Sequence, residues 1–168
     1  MAENDWIKRR KLTSTNYMPY HYRQLTAADV PLLKQLLRVF GEAFEDVPTY
    51  QGAVPTDAYL RTFLDKSHVV VVVAIDGNEV VGGLVAYELE KFEQDRRELY
   101  IYDLAVSAGH RRRRIATNLI EQLKDIARTR RVYVIYVQAD RGDLPVIKLY
   151  GALGRGEDVY HFDFKVDG

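Results

Sequence analysis

The sequence feature that most constrains the fold is segment 100–117, which reads YIYDLAVSAGHRRRRIAT. It begins as an apolar, strand-like run, passes through a turn with four consecutive arginines, and continues into a helix with one apolar face. The first turn of a helix has unpaired N–H groups and the positive end of the helix dipole, so a basic loop there favours an anion such as phosphate. The segment therefore predicts a site for a phosphate-bearing, nucleotide-like ligand.

Composition excludes several classes of protein. The chain has 168 residues, 47% of them hydrophobic, which predicts a single domain over residues 20–168 behind a polar, flexible arm at 1–19. The 24 basic and 24 acidic residues cancel, which argues against a surface built throughout for nucleic acid. The absence of cysteine excludes a disulfide framework, a cysteine nucleophile and a thiolate metal site, and we expect no metal. The longest apolar run, 69–75, is too short to span a bilayer, so we expect a cytoplasmic protein with no membrane partner.

Hydrophobic periodicity predicts an α/β (α+β) fold with a mixed, mostly antiparallel sheet flanked by helices. The predicted strands are 20–25, 68–75, 80–89, 98–107, 132–139 and 158–166, and the predicted helices are 26–44, 56–66, 115–131 and 143–153. Residues 45–50 are interpreted as a loop, residues 76–79 as a hairpin turn, and Gly82 and Gly83 as a bulge. The nearly unbroken apolar run VYVIYVQA at 132–139 is typical of a central strand, buried on both faces and parallel to the strand before it.

A family resemblance rests on several motifs in a fixed order. They are FGEAFEDVPTY at 40–50, KFEQ at 91–94, YIYDLAVS at 100–107, HRR at 110–112 followed by IAT at 115–117, YVIYVQAD at 133–140 and HFD at 161–163. Residues 111–116 also follow the pattern Gln/Arg-x-x-Gly-x-Gly/Ala, except that Arg114 stands in place of the usual glycine, and 145–154 reads PVIKLYGALG. The order of elements and the loop resemble the GCN5-related N-acetyltransferase (GNAT) superfamily, and the whole set is similar to its aminoglycoside 3-N-acetyltransferases.

The resemblance implies a GNAT fold in which two parallel strands splay apart to hold acetyl-CoA (coenzyme A) as the co-substrate. It implies that the backbone of Leu104, Ala105 and Val106 pairs with the pantetheine arm of the coenzyme. An amide N–H there could polarise the thioester carbonyl. The residues that would bind the pyrophosphate are Arg111, Arg112, Arg113, Arg114, Ile115, Ala116 and Thr117.

Two residues are predicted to be catalytic. Asp103 precedes the splayed segment by one residue, and we interpret it as the base that positions and deprotonates the acceptor amine. The alternative is an aspartate that only pairs with a neighbouring loop. Tyr150 corresponds to a tyrosine that faces the coenzyme sulfur in the resembling family, and we interpret it as the general acid for the leaving thiolate. Its alternative role is that of a core tyrosine on an apolar helix face.

An aminoglycoside is a polycationic small molecule, so its pocket should be lined with carboxylates. The candidates are Glu45, Asp46, Asp140, Asp143, Glu157, Asp158 and Asp163. For any one of them, a solvated surface charge is the simpler interpretation. His110 is interpreted as an exposed loop residue and His161 as a possible substrate contact.

Other functions stay open on sequence alone. The acceptor could be a polyamine, a peptide N-terminus or a lysine, since every GNAT enzyme shares the coenzyme loop. The protein could also be a coenzyme-binding sensor without turnover, because Arg114 departs from the loop pattern. The arginine run could contact nucleic acid, but no aromatic stacking platform accompanies it and we expect no such partner. Edge strands near the C-terminus could support a homodimer.

Overall fold

A five-stranded mixed sheet forms the centre of the molecule in this computed structural model, which describes residues 20–166. The predicted arm at 1–19 lies outside the described residues. The strands are β1 (His21–Gln24), β2 (Val69–Asp76), β3 (Glu79–Glu90), β4 (Arg97–Val106) and β5 (Val132–Val137), and they lie side by side in chain order. Strands β1 to β4 pair antiparallel with one another and β5 is parallel to β4, which confirms the predicted fold class.

Five α-helices surround the sheet within this part of the chain. They are α1 (Val30–Ala43), α2 (Val47–Gln51), α3 (Asp57–Leu64), α4 (Ile115–Thr129) and α5 (Leu144–Leu153). A 3₁₀ turn, Ala108–His110, precedes the arginine loop. The segment predicted to be a loop at 45–50 therefore contains the short helix α2, which Asp46 begins by accepting a hydrogen bond from the Thr49 amide.

The sheet separates two apolar clusters, and the valines of β2 alternate between them. Val69, Val71 and Val73 pack with α1 and α3 on one face, which we call the α1 face. Val70 and Val72 pack with the apolar stripe of α4 on the other face, which we call the α4 face. Because both faces of β2 are covered, its five consecutive valines are all buried.

Helix α1 begins at Val30 instead of at Thr26, and a turn precedes it. The Asp29 carboxylate accepts hydrogen bonds from the Thr26 amide at 2.9 Å, from Thr26 Oγ1 at 2.8 Å and from Arg23 Nη2 at 2.6 Å. Pro31 lies in the first turn of the helix, where its missing N–H costs no hydrogen bond. The turn therefore joins the end of β1 to the helix through a paired carboxylate.

The prediction that 132–139 forms a central strand, buried on both faces, was wrong. Strand β5 is the last strand of the described sheet, and Tyr133, Val134 and Tyr136 are exposed. The predicted strand at 158–166 was also wrong, because residues 155–166 join no ladder and Tyr160, Phe162 and Phe164 are 83%, 72% and 88% exposed. Apolar alternation favours a strand only where a neighbouring strand accepts its hydrogen bonds, and this segment has no such neighbour among residues 20–166.

Two irregularities interrupt the antiparallel ladders. Between β2 and β3 the pairing passes from Ala74–Gly82 to Ile75–Val80, so the extra residue is Val81, one position before the predicted bulge. Gly83 instead permits close packing, since a Cβ there would lie 2.6 Å from Leu36 Cδ1. Between β3 and β4 the extra residue is Tyr102, and this second bulge positions the candidate site.

No helix within 20–166 has the length and apolar character needed to cross a membrane.

Candidate active site

The bulge at Tyr102 determines which face of the sheet Asp103 occupies. Val85 pairs with Asp103 and Ala86 pairs with Ile101, so Tyr102 has no partner in the ladder. Before the bulge, Ile101 packs on the α4 face, and after it Ala105 packs on the α1 face. Since alternate residues of a strand share a face, Asp103 lies with Ala105 on the α1 face.

Asp103 is partly buried and has few partners. Its Oδ1 accepts a hydrogen bond from the Tyr50 hydroxyl at 3.2 Å, whereas Oδ2 has no hydrogen-bond partner among residues 20–166. No ion pair within those residues involves Asp103. Burial raises the pKa of Asp103, and the Tyr50 hydrogen bond offsets part of that rise. The carboxylate is therefore partly desolvated, and no cation in the described part of the chain compensates its charge.

Tyrosines line the same face next to Asp103, and the sequence analysis did not single them out. The Tyr102 ring lies 5.8 Å from Tyr87 and 6.0 Å from Tyr100, and Tyr100 stacks on Tyr136 at 5.0 Å. Tyr102 itself is 63% exposed. The spacing of Tyr100 and Tyr102 in β4 could have indicated that they share one aromatic surface. The bulge at Tyr102 and the pairing of Tyr100 with Tyr136 of β5 are visible only in the structure.

Strands β4 and β5 part beside this site. Their pairing ends at Ile101–Val137, where β5 also ends, while β4 continues to Val106. In the described part of the chain, Leu104, Ala105 and Val106 thus have a strand partner on the β3 side only. This arrangement leaves one edge of β4 open to a ligand that offers hydrogen-bonding groups.

The arginine loop adopts a left-handed backbone at two positions. Arg112 has φ 60° and Arg114 has φ 62°, and Arg114 is the N-cap residue of α4. Arg114 thus takes the conformation that the usual glycine of this pattern would adopt without strain. Its side chain does not cap α4, whose first residues are Ile115, Ala116 and Thr117.

Two contacts tie this loop to the sheet. Arg111 Nε donates to the Val106 carbonyl at 3.2 Å, and Arg113 Nη1 donates to the Tyr20 hydroxyl at 3.0 Å. His110 is half-buried, with Nδ1 at 3.1 Å from the Tyr20 hydroxyl, so its interpretation as an exposed loop residue was wrong. The four arginines 111–114 are exposed, and the loop therefore presents positive charge next to the open end of β4.

Tyr150 lies on the opposite face from Asp103. It is half-buried in α5 and packs with the apolar cluster on the α4 face, which also contains Leu104 and Val106. Burial raises the pKa of the Tyr150 hydroxyl, and the negative charge of Asp143 adds to the rise. A raised pKa keeps the phenol protonated at neutral pH, as a general acid requires.

The predicted substrate carboxylates have local contacts of their own or are exposed. Asp46 and Asp143 accept amide hydrogen bonds at the starts of α2 and α5. Asp158 pairs with Arg141, and Asp163 Oδ1 lies 2.9 Å from Nε2 of His161. Glu45, Asp140 and Glu157 are exposed. Within 20–166, none of these carboxylates shares a hydrogen bond or ion pair with Asp103, and no group of three or more His, Asp or Glu residues could hold a metal ion.

His161 connects the C-terminal segment to the tyrosine surface. Gln138 Oε1 accepts a hydrogen bond from the Tyr100 hydroxyl at 3.0 Å and lies 3.1 Å from Nδ1 of His161. Among the described hydrogen bonds, this shared contact with Gln138 is the link between the segment 155–166 and Tyr100.

Comparisons with known proteins give a consistent result. Residues 33–154 match the acetyltransferase (GNAT) family. A crystal structure of an aminoglycoside acetyltransferase from an uncultured soil metagenomic sample is 50% identical, covers 89% of this chain and 100% of that chain, and has a TM-score of 0.88. A second such enzyme from an uncultured soil metagenomic sample, crystallised with sisomicin, is 29% identical over 88% of this chain and 97% of that chain, with a TM-score of 0.82.

More distant structures share the fold alone. A ribosomal-protein-alanine N-acetyltransferase from Brucella melitensis biovar Abortus 2308 is 21% identical, covers 89% of this chain and 100% of that chain, and has a TM-score of 0.69. A search of curated protein sequences gave no match. The family match spans most of the described sheet, including the parting of β4 from β5 and the arginine loop, and the chain therefore belongs to the acetyltransferase (GNAT) family.

Proposed function

We propose that this enzyme transfers the acetyl group of acetyl-CoA to the 3-amino group of an aminoglycoside and so confers antibiotic resistance in the cytoplasm. The observation that carries the proposal is the environment of Asp103: a partly buried carboxylate that pairs with no cation among residues 20–166, next to the point where β4 and β5 part. Such a group favours a cationic ligand, and an amine that binds as an ammonium meets a proton acceptor there.

The coenzyme would lie along the open edge of β4. The backbone of Leu104, Ala105 and Val106 would hydrogen-bond the pantetheine arm. The exposed arginines and the first-turn amides of α4 would hold the diphosphate, because both supply positive charge at one end of that edge. The residues of this loop in the proposal are Arg111, Arg112, Arg113, Arg114, Ile115, Ala116 and Thr117. The left-handed backbone of Arg114 supports the assignment, since it preserves the loop shape without glycine.

Acetyl transfer needs a neutral amine, a polarised carbonyl and a proton for the departing thiolate. Asp103 would take the proton from the acceptor amine on the α1 face. An amide N–H of Ala105 or Val106 would donate to the thioester oxygen as its charge develops. Tyr150, on the α4 face, would protonate the thiolate. The coenzyme supplies the activated acyl group, and holding both reactants at one opening supplies part of the rate.

The choice of acceptor is supported by the aminoglycoside acetyltransferases to which the chain is similar. Exposed tyrosines next to Asp103 offer flat surfaces on which sugar rings and ammonium groups could pack. Glu45 and Asp46 at the start of α2 lie on the same side as Tyr50 and would add negative charge near the entrance. Asp140, Asp143, Glu157 and Asp163 would add negative charge from the chain that follows β5, where the charge of Asp143 already raises the pKa of Tyr150.

Thiol release from acetyl-CoA tests the proposal when gentamicin-like compounds, spermidine and a lysine peptide are compared as acceptors. We expect turnover with the aminoglycosides and an NMR spectrum of the product that places the acetyl group on the 3-amino nitrogen. Turnover with only spermidine or the peptide would assign a different acceptor. If calorimetry detects no binding of acetyl-CoA, the acetyltransferase proposal itself is wrong.

A further inference from the structure

Tyr50 reaches Asp103 from a helix that the surrounding residues hold in place. Helix α2 has only five residues, and it starts with the Asp46 cap and with Pro48 in its first turn. Gly41 of α1 allows α2 to approach closely: a Cβ on Gly41 would lie 3.2 Å from Tyr50 Cβ and 3.4 Å from Val47 Cα. The backbone that carries Tyr50 is thus fixed against α1.

The ring of Tyr50 is also fixed. It lies 5.8 Å from the Phe40 ring in a T-shaped contact and 5.7 Å from the Phe44 ring, and Phe40 is fully buried. Aromatic neighbours on two sides restrict the rotation of the ring, so the hydroxyl is presented at one position on the α1 face. That position is 3.2 Å from Asp103 Oδ1, although the two residues are 53 positions apart in sequence.

We propose that Tyr50 is a positioning residue for acetyl transfer, whose hydroxyl holds Asp103 through Oδ1 and leaves Oδ2 unbonded for the acceptor amine. The inference rests on the proposed function for the identity of that amine, but not for the contact itself. Tyr50 is the only hydrogen-bond donor to the Asp103 side chain among residues 20–166. Without it, the carboxylate would have no fixed rotamer and no partner to stabilise its charge.

Within the described residues, the titratable groups whose pKa the Asp103 charge raises are tyrosines. Tyr50 approaches from α2, Tyr87 from β3 and Tyr100 from β4, and the negative charge of Asp46 also acts on Tyr50. Burial and the charge of Asp103 raise the pKa of Tyr50, so its hydroxyl stays a donor at neutral pH. Hydrogen-bond donation to a carboxylate lowers the pKa of the acid, and among these groups Tyr50 alone does so here.

Tyr50→Phe removes the hydroxyl and keeps the ring, and it is the direct test. A hydrogen bond to a charged group corresponds to a shift of about one to two pH units, and the pKa of Asp103 should rise by a similar amount. In the wild type and the variant, the carboxyl carbon of Asp103 is titrated by ¹³C NMR without substrate. The Asp103 resonance is assigned as the one that is absent from the spectrum of Asp103→Asn. The pH profile of kcat/KM is then recorded, and its acidic limb should move upward by the same amount.

The matched control is Tyr133→Phe. Tyr133 also donates to a carboxylate, Glu98, at 2.6 Å, but on β5 and away from Asp103. Gly41→Ala is a second test of the contact, because it keeps the Tyr50 hydroxyl and the Asp103 carboxylate but displaces α2. We expect Gly41→Ala to raise the pKa of Asp103 by less than Tyr50→Phe does, and Tyr133→Phe to leave that pKa unchanged.

The outcomes separate the two proposals. If the Asp103 resonance titrates at the same pH in the wild type, in Tyr50→Phe and in Gly41→Ala, the positioning role is wrong, whatever the enzyme acetylates. Should Tyr50→Phe fail to fold, an unshifted titration in Gly41→Ala has the same meaning. If the titration shifts as expected but aminoglycosides are not acetylated, the contact stands and the proposed acceptor is wrong.

Discussion

Two regions of this molecule each remove an aspartate from water, and they treat it in opposite ways. In the turn before α1, Asp29 is buried and accepts three hydrogen bonds, one of them from the cation Arg23. At the bulge of β4, Asp103 is partly buried and accepts one hydrogen bond from a neutral tyrosine. The partners in the first region allow the carboxylate to stabilise the fold. In the second region, part of the free-energy cost of desolvating the carboxylate is left for a ligand to offset.

The pKa values of the two carboxyl groups shift in opposite directions because their partners differ. Burial raises the pKa of Asp29, but the hydrogen bonds from Thr26 and the Arg23 charge outweigh it, and the net pKa is lowered. Burial also raises the pKa of Asp103, and the Tyr50 hydrogen bond does not cancel the rise. Burial thus raises the pKa of both groups, and their partners decide whether the result is a structural carboxylate or a candidate base.

Replacing Asp103 should have the largest effect on activity. We expect Asp103→Asn to lower kcat by roughly 10²-fold or more, the usual scale for a lost general base, with little change in coenzyme affinity. The unfolding free energy at pH 7 should stay the same or rise, because a desolvated charge is removed. Full activity in this variant, measured by thiol release, would refute the role of Asp103 as base.

Asp29→Asn should show the reverse pattern and serves as the matched control. Losing charge-assisted hydrogen bonds should lower the unfolding free energy by about 1.5 to 3 kcal/mol in urea denaturation, with kcat unchanged. Since the folded-state pKa of Asp29 is lowered, its contribution is present above the pKa of an unfolded aspartate, about 3.9, and is lost as pH falls below it. The difference between wild type and Asp29→Asn should therefore shrink below about pH 4. A constant difference across that range would contradict the paired-carboxylate explanation.

The smallest effect concerns Arg114. Replacing a left-handed arginine by glycine relieves backbone strain, so Arg114→Gly should raise the unfolding free energy by about 0.5 to 1 kcal/mol. Arg114→Ala is the control, since it also removes the guanidinium but keeps the Cβ. If both variants bind acetyl-CoA much more weakly in calorimetry, the guanidinium contributes to phosphate binding. If neither does, the backbone and the neighbouring arginines suffice.

Much of the fold could be predicted because its signals are local. The valine run of β2, the Asp76-Gly77 turn and the apolar stripe of α4 each specify an element within a few residues. The apolar run of β5 was misleading, because periodicity does not distinguish a buried strand from one at the edge of a sheet whose apolar side chains remain exposed.

The candidate site was predictable only in part. The order of motifs indicated the family correctly, and the role of Asp103, inferred from its place before the splayed segment, stays a prediction. The Tyr102 bulge has no glycine or proline to indicate it, and the Tyr50–Asp103 contact joins residues from α2 and β4. Both depend on long-range pairing, which a single sequence does not reveal.

The extra residue in β4 determines on which face of the sheet each later side chain of the strand lies. With strict alternation from Leu99 and Ile101, position 103 would point toward α4 and position 104 toward α1. The insertion reverses this, so that Leu104 and Val106 join the apolar layer containing Tyr150 while Asp103 emerges on the other side. One surplus residue thereby places the carboxylate of Asp103 on one side of the sheet and the phenol of Tyr150 on the other, and β4 parts from β5 just before position 103.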